Sequence, residues 1–519
     1  MDRPYPPLLP LALLALLFLC LLHGERAAAA DDDDLTSGTG DGSELWGYVQ
    51  VRPKAHLFWW YYKSPQRASS PGKPWPTILW LQGGPGASGV GLGNFLEVGP
   101  LDVNLKPRDS TWLQKADLIF VVSDRDRRTR GGILLSCSVS ATCVNGGDGE
   151  QDNPVGVGYS YADDPSALVT TDWQAATDAT ELLRALAAKE IPTLQSSPLF
   201  LVAESYGGKY AATLGVSLAR AIRAGDLKLN LGGVALGDSW ISPEDFTLAY
   251  TPLLLEVSRL DDNAGDEASK MAATVKEQIT AGQLADSQQS WIDLLGFIDK
   301  KSASVDMYNF LLDSGMDPVS ADLPAASSSS PSSSSAQLMK YSTYLSSQAA
   351  DSGSNTIDGI MNGVIKEKLK IIPKNLKWVS ISFAVSHHND QHNCPNHKTL
   401  QFQLNCRWQE LSDPVYNALV NDFMKPRINE IDELLSYGIN VTVYNGQLDV
   451  ICSTIGAEAW VKKLKWDGLK NFLSLPRQPL KCGSSKGTKA FVRSYKNLHF
   501  YWILGAGHFV SLNIHMPHY

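Results

Sequence analysis

The chain has few cysteines, no strong excess of one charge, and no long apolar segment beyond its first residues. Seven cysteines in 519 residues are too few for a disulfide-based scaffold. A net charge of −9 gives no reason to expect nucleic acid or an anionic membrane as a partner. With 44% hydrophobic and 19% charged residues, the composition is that of a globular protein long enough for a large core.

The first residues have the order of a cleavable signal peptide. Arg3 precedes an apolar run from Leu8 to Leu22, and small residues follow from Ala27 to Ala30. This run is shorter than the ~20 residues that a membrane span needs, so we expect no stable membrane anchor. We predict a signal peptide over 1–30 and entry into the secretory pathway, with either the extracellular space or a vacuole or lysosome as destination. The Asp-, Gly- and Ser-rich residues 31–44 are predicted to form a disordered leader.

Strand-like and helix-like segments alternate over residues 45–243. Thr77–Leu81 and Leu118–Val122 are short apolar runs bounded by Gly, Pro and Asp, which indicates strands. Asp172–Lys189 and Gly207–Ala224 have apolar residues at helical spacing. This alternation predicts an α/β fold with a mostly parallel central sheet flanked by helices.

A helical insertion divides the predicted sheet domain into two parts. Residues 244–426 are mainly helix-like and include the Ser-rich loop 327–335, whereas strand-like sequence resumes in the range 427–519. We expect residues 244–426 to form a cap over the site that the two core parts share.

Ser205 stands at a predicted nucleophile elbow. Phe200–Glu204 is strand-like, and the glycines after Tyr206 begin a helix, so Ser205 occupies the tight turn between them. Ala203 replaces the first glycine of the G-x-S-x-G pattern. An ordinary helix-capping serine is the alternative.

Asp449 and His508 follow Ser205 in the order that this arrangement requires. Asp449 comes after the strand-like Val441–Tyr444, and His508 comes after the strand-like Phe500–Leu504. An acid and then a histidine, each on a loop that leaves a strand, complete a Ser-His-Asp triad. The sequence therefore predicts a nucleophilic hydrolase.

Four motifs give the chain a specific resemblance. Leu79–Gly86, Asp152–Tyr161, Glu204–Gly208 and Gly505–His508 resemble segments of the serine carboxypeptidases, and the likeness spans most of residues 46–510. Within that family the chain looks closest to the retinoid-inducible type, in its plant-like form. The resemblance implies an α/β-hydrolase fold with a helical cap, and an enzyme that releases C-terminal amino acids from peptides, favoured at acidic pH.

The resemblance also implies roles for the site residues. Ser205 would attack the scissile carbonyl, His508 would move the proton, and Asp449 would orient His508. The backbone N–H groups of Gly84 and Tyr206 would form the oxyanion hole.

Four further residues match the part of the family's site that binds the substrate's terminal carboxylate: Gln82, Gly83, Glu97 and Glu204. Gln82 stands where many members have asparagine. Peptide or protein C-termini are the implied substrate, no cofactor or metal is implied, and a homodimer is left open.

Three segments depart from the family pattern. Residues 122–151 separate a strand from the Asp152 loop, 379–407 carry four histidines and two cysteines without the fixed spacing of a zinc site, and 511–519 end the chain early. Both inner segments begin with Val-Ser, so translated introns are one hypothesis for all three.

Two modifications and two other functions stay open. Cys452 and Cys482 are the candidate disulfide, although Cys452 lies close to Asp449 and could be a free thiol. Asn440 is the candidate glycosylation site. An acyltransferase could use the same acyl-enzyme, and the insertions and short C-terminus also raise the alternative of a non-catalytic variant.

Overall fold

One mixed sheet runs through the molecule. The computed structural model describes residues 36–67, 74–123, 159–163, 165–314, 357–374, 376, 417–481 and 487–513. Within these ranges the sheet has twelve strands: β1 Thr36–Gly38, β2 Glu44–Arg52, β3 Ala55–Tyr62, β4 Thr77–Leu81, β5 Asp117–Ser123, β6 Tyr161–Ala162, β7 Pro198–Glu204, β8 Asn230–Gly237, β9 Val441–Gly446, β10 Gln478–Leu480, β11 Ala490–Tyr495 and β12 Leu498–Ile503.

The centre of this sheet is parallel and its edges are antiparallel. The strand order is β1-β2-β3-β5-β4-β7-β8-β9-β12-β11-β10, with β6 paired to β3. The strands from β5 to β12 in this order pair in parallel, whereas β1 to β3 and β10 to β11 add antiparallel ribbons. The predicted parallel central sheet is thereby confirmed.

Helices connect the parallel strands and continue between β8 and β9. The described α-helices are α1 Asp172–Ala185, α2 Gly207–Ala224, α3 Pro243–Glu256, α4 Asp262–Thr280, α5 Leu284–Lys301, α6 Ile357–Ile360, α7 Lys366–Leu369, α8 Ile428–Ser436, α9 Thr454–Val461, α10 Leu469–Ser474 and α11 Val510–Asn513. A π-helix covers Gly89–Val98. None of the helices in the described ranges is both long and apolar enough to cross a membrane.

Hydrophobic residues fill both faces of the sheet. Along β3, alternate side chains enter different clusters because successive side chains of a strand point to opposite faces. Leu57, Trp59 and Tyr61 belong to the hydrophobic cluster that includes buried residues of α1 and α2, whereas Phe58 and Trp60 belong to the cluster that includes residues of the π-helix. A strand covered on both faces is apolar throughout, which explains why this run lacks a polar alternation.

Two predicted boundaries are corrected. Residues 36–44 are not a disordered leader, because β1 lies within that range and pairs with β2. The atypical insertion cannot begin at Val122, because Val122 and Ser123 pair with β3 as the end of β5. The Ser-rich loop 327–335 and the segment 379–407 lie outside the described residues.

Candidate active site

Ser205 occupies a sharp turn between β7 and α2. Its φ of +57° lies in the left-handed region, which is costly for a residue with a side chain. Two backbone bonds hold this conformation: Ser205 N donates to Gly237 O at 3.0 Å, and Trp240 N donates to Ser205 O at 2.9 Å. A Cβ on Gly207 would lie 2.2 Å from Leu81 O, so the turn needs glycine at that position.

Asp449 and His508 form a buried hydrogen-bonded pair. His508 Nδ1 lies 2.8 Å from Asp449 Oδ2, and both side chains are fully buried. His508 N donates to Tyr308 O at 2.9 Å, which fixes the backbone that carries the imidazole. The loops after β9 and β12 approach so closely that a Cβ on Gly446 would lie 2.1 Å from Gly507 O.

The sheet topology brings the three predicted triad residues to one edge. Ser205 follows β7, Asp449 follows β9 and His508 follows β12, and these strands belong to the adjacent parallel set β7, β8, β9 and β12. Carboxyl ends of parallel strands meet at the same edge of a sheet, where α/β proteins bind their ligands.

The glycine-rich loop after β4 lies against Ser205. A Cβ on Gly83 would be 2.6 Å from Ser205 Cβ, so the loop backbone can touch the serine only because Gly83 has no side chain. Gly84 has a φ of +115°, which residues with side chains rarely adopt. Tyr206 directly precedes the N-terminus of α2, where backbone N–H groups favour negative charge.

The Tyr206 side chain is held by a hydrogen bond and by a stacking contact. Its hydroxyl donates to Asp172 Oδ1 at 2.8 Å, and its ring stacks on Phe423. Of the two predicted oxyanion-hole residues, Tyr206 directly follows Ser205, and Gly84 directly follows Gly83, the glycine that lies against Ser205.

Gln82, Glu97 and Glu204 form a buried polar cluster next to Ser205. Gln82 Nε2 donates to Glu97 Oε1 at 2.9 Å and to Glu204 Oε1 at 3.3 Å. Each of the three residues is only 2% exposed. Burial raises the pKa of the Glu97 carboxyl, while hydrogen bonds from Ser511 and Gln82 act in the opposite direction.

Sequence reasoning missed three neighbours of this site. Trp80 Nε1 donates to Gln82 Oε1 at 2.6 Å, and Ser511 Oγ donates to Glu97 Oε2 at 2.5 Å. Asp238, which follows β8, is buried beside Asp449. Ser511 belongs to the range 511–519, which was predicted to depart from the family, so no sequence signal pointed to it.

Cys452 is a buried free thiol. The predicted disulfide between Cys452 and Cys482 is therefore wrong. Its sulfur, an Asp449 oxygen and a His508 ring nitrogen all lie within 4.8 Å of one another, and burial raises the pKa of this thiol well above its ordinary value. Cys452 N also donates to Asp449 Oδ1 at 3.2 Å, so the residue belongs to the site. Cys482 lies outside the described residues.

Asn440, the candidate glycosylation site, is exposed immediately before β9. Its side-chain amide donates to Gly232 O at 3.4 Å. The strand that follows therefore does not hide this side chain.

Comparisons with known proteins point to one family. The family model described as "Serine carboxypeptidase" matches residues 36–125 and 151–515, and passes over 126–150. "Serine carboxypeptidase-like 51" of Arabidopsis thaliana is 50% identical over 479 residues, which cover 91% of this chain and 90% of the relative. The human "Retinoid-inducible serine carboxypeptidase" is 38% identical over 501 residues, which cover 95% of this chain and 93% of that protein.

A solved structure confirms the predicted α/β-hydrolase fold. The prohormone-processing carboxypeptidase Kex1 of Saccharomyces cerevisiae aligns with a TM-score of 0.60 at 20% identity, covering 90% of this chain and 89% of that one. The family match also extends to residue 515. The C-terminal tail was predicted to depart from the family directly after Val510, and the match continues beyond that residue.

Proposed function

Because the chain belongs to the serine carboxypeptidase family, we propose that it releases C-terminal amino acids from peptides through an acyl-enzyme at Ser205. His508 takes the proton of the Ser205 hydroxyl as the oxygen attacks the scissile carbonyl, and returns it to the leaving amine. Asp449 holds the imidazole in the required tautomer by accepting from Nδ1. Water then attacks the ester by the same route, which frees Ser205.

The backbone N–H groups of Gly84 and Tyr206 stabilise the oxyanion in this proposal. The close packing of the Gly83–Gly84 loop on Ser205 supports the first donor, and the start of α2 supports the second. Preorganised donors at this position are commonly the largest single contribution to acyl-transfer catalysis.

The buried cluster of Gln82, Glu97 and Glu204 is the observation that favours a carboxypeptidase over other hydrolases. Glu204 directly precedes Ser205, so the cluster lies one residue from the acylation point. A neutral carboxyl and an amide can donate hydrogen bonds to the free carboxylate of a substrate, whereas two ionised glutamates would repel it. Gly83 contributes through its backbone.

The predicted signal peptide supports an activity in the secretory pathway, either outside the cell or in a vacuole or lysosome. The substrates there are peptide or protein C-termini. Catalysis at acidic pH fits such a compartment, because the Glu97–Glu204 pair retains a proton more readily in acid.

Single substitutions in the triad test the proposal. Ser205→Ala, His508→Ala and Asp449→Asn are each expected to lower kcat by roughly 10⁴-fold or more, and their losses should not add because the three residues act as a unit. Amino-acid release from peptides is measured beside transfer from an activated acyl donor to an alcohol, which separates hydrolysis from acyl transfer.

A fluorophosphonate probe provides a readout that is independent of the substrate. Folded wild-type protein should be labelled at Ser205, and Ser205→Ala should not. Folded wild-type protein that neither takes up the probe nor releases amino acids is a non-catalytic variant, and the proposed function is then wrong.

A further inference from the structure

Asp238 is a fully buried carboxyl group directly after β8. Its backbone N donates to Tyr444 O at 2.9 Å, which holds it between β7 and β9 with a φ of +39°. Its Oδ1 accepts from Gly446 N at 2.8 Å and from Asn445 Nδ2 at 3.5 Å. These contacts tie Asp238 to the loop that carries Asp449.

The second oxygen of Asp238 has no partner that could donate to an ionised carboxylate. Among the described residues, no donor reaches Oδ2, although this atom is inaccessible to water. Besides the Asn445 amide, the side-chain group that hydrogen-bonds to Asp238 is the carboxyl of Asp449. A hydrogen bond between two carboxyl groups requires a proton on one of them, and an unpaired buried oxygen is costly.

Asp449 is the member of this pair that other donors stabilise as an anion. His508 Nδ1 bonds to its Oδ2, and Cys452 N donates to its Oδ1 at 3.2 Å. The charged group that acts on Asp238 besides Asp449 is Glu204, also a carboxyl, and the adjacent Tyr444 and Cys452 side chains are neutral because their pKa values are raised. The shared proton therefore belongs on Asp238.

We propose that Asp238 is a positioning residue of the active site: it stays protonated, accepts from Gly446 N with one oxygen, and donates its proton to Asp449 with the other. The proposal rests on the proposed function, in which Asp449 orients His508. Burial, followed by the negative charge of Asp449, raises the pKa of Asp238 well above its ordinary value, whereas the Gly446 N–H acts in the opposite direction.

The hydrogen bond from Asp238 changes what Asp449 does to His508. When Asp449 accepts a hydrogen bond from Asp238 as well as from His508, its negative charge stabilises the His508 imidazolium less than it would without Asp238. A less stabilised imidazolium favours the neutral imidazole, which is the form that accepts the Ser205 proton. Asp238 thus adapts the triad to acid without touching the substrate.

Two substitutions separate this role from a structural one. Asp238→Asn keeps an acceptor for Gly446 N and a donor for Asp449, so it should retain most of the activity that Asp238→Ala loses, with the acid limb of its pH profile near the wild-type position. Asp238→Ala removes the donor, so the acid limb should move to higher pH. Its kcat should fall on the order of tenfold to a hundredfold, with a smaller change in KM, because the imidazole is misplaced.

Infrared spectroscopy tests the proton without reference to activity. Near neutral pH, wild type minus Asp238→Asn should show the carbonyl stretch of a protonated carboxylic acid, and the same difference should appear when both proteins also carry Ser205→Ala. Absence of this band, or an acid limb that moves in Asp238→Asn, overturns the proposal, even where Asp238→Ala does not fold. Failure of the proposed function is a different result, namely an active Ser205→Ala enzyme, or a folded wild-type protein that neither takes up the fluorophosphonate probe nor releases amino acids.

Discussion

Glu97 and Glu204 are two buried acids that share one amide, and in the proposed function this arrangement makes substrate recognition depend on pH. Burial raises the pKa of Glu97, so the pair retains a proton in mild acid and loses it as the pH rises. The protonated pair donates to a substrate carboxylate, whereas the ionised pair repels it. We expect kcat/KM for free-acid peptides to fall as the pH rises through that range.

Matched peptide amides provide the control for this prediction. An amide carries no terminal charge, so its kcat/KM should fall much less over the same range. Glu204→Gln should flatten the difference between the two substrates. Identical pH profiles for acid and amide peptides in the wild-type enzyme would contradict the assignment of Glu97 and Glu204 to carboxylate binding.

The sequence could predict residues whose signal is local, and missed those whose role depends on distant neighbours. Ser205, Asp449 and His508 each follow a strand through a recognisable turn, so their order alone predicted them. Asp238 also follows a strand, yet its importance arises only because β8 lies next to β9, a pairing that no short motif records. Ser511 meets Glu97 across more than four hundred residues, and pattern reasoning has no access to such a contact.

Between the elements, a buried charge cluster joins α1, α2 and the segment before α8. Arg427 Nε bonds to Asp172 Oδ2 at 2.8 Å, and its NH2 group bonds to Asp422. Lys209 Nζ lies 3.5 Å from Asp172 Oδ2, and burial lowers the pKa of Lys209 to about 8. Asp172 also accepts a hydrogen bond from the Tyr206 hydroxyl, and Tyr206 directly follows Ser205. The cluster therefore supports the elbow as well as the packing of the helices.

Removal of Arg427 should therefore be costly. Arg427→Ala leaves Asp172 and Asp422 short of a buried cation, and breaking a buried pair in this way costs about 3–5 kcal/mol. Arg220→Ala is the matched control, because Arg220 bonds Glu433 through a side chain that is 54% exposed, and surface pairs contribute about 0–1 kcal/mol. Denaturant unfolding measures both variants. Similar losses of unfolding free energy in the two would show that the buried cluster has no special role.

Element edges were harder to predict than the elements themselves. The strand Thr36–Gly38 has no apolar pattern. It forms because its backbone N–H and C=O groups pair with those of the neighbouring strand β2. The end of β5 extends through Ser123 for the same reason, since β3 pairs with it residue by residue. Backbone pairing of this kind leaves little trace in side-chain composition.

At the scale of the whole molecule, the fold was predictable because both halves of the sheet carry strong alternation of strand and helix. The range 126–150 is where the chain and its family differ, since the family model matches both flanks and passes over these residues. This range follows β5, which pairs with β4, and β4 leads into the Gly83–Gly84 loop beside Ser205. Its position in the sequence is therefore close to an element that supports the active site. Ordering an added segment of chain costs conformational entropy.

Deleting residues 126–150 should leave the fold and the hydrolase intact. The deletion joins the two ranges that the family model matches, so we expect an unfolding temperature equal to or higher than that of the full chain, and amino-acid release at least as fast. A deletion of the same length that begins at Leu79 is the control, and it should abolish folding because it removes part of β4 and the loop beside Ser205. Calorimetry and fluorophosphonate labelling report the two properties separately. A lower unfolding temperature, or lost labelling, in the first deletion would mean that 126–150 is an integral part of the enzyme, and that the family pattern does not suffice to define its active form.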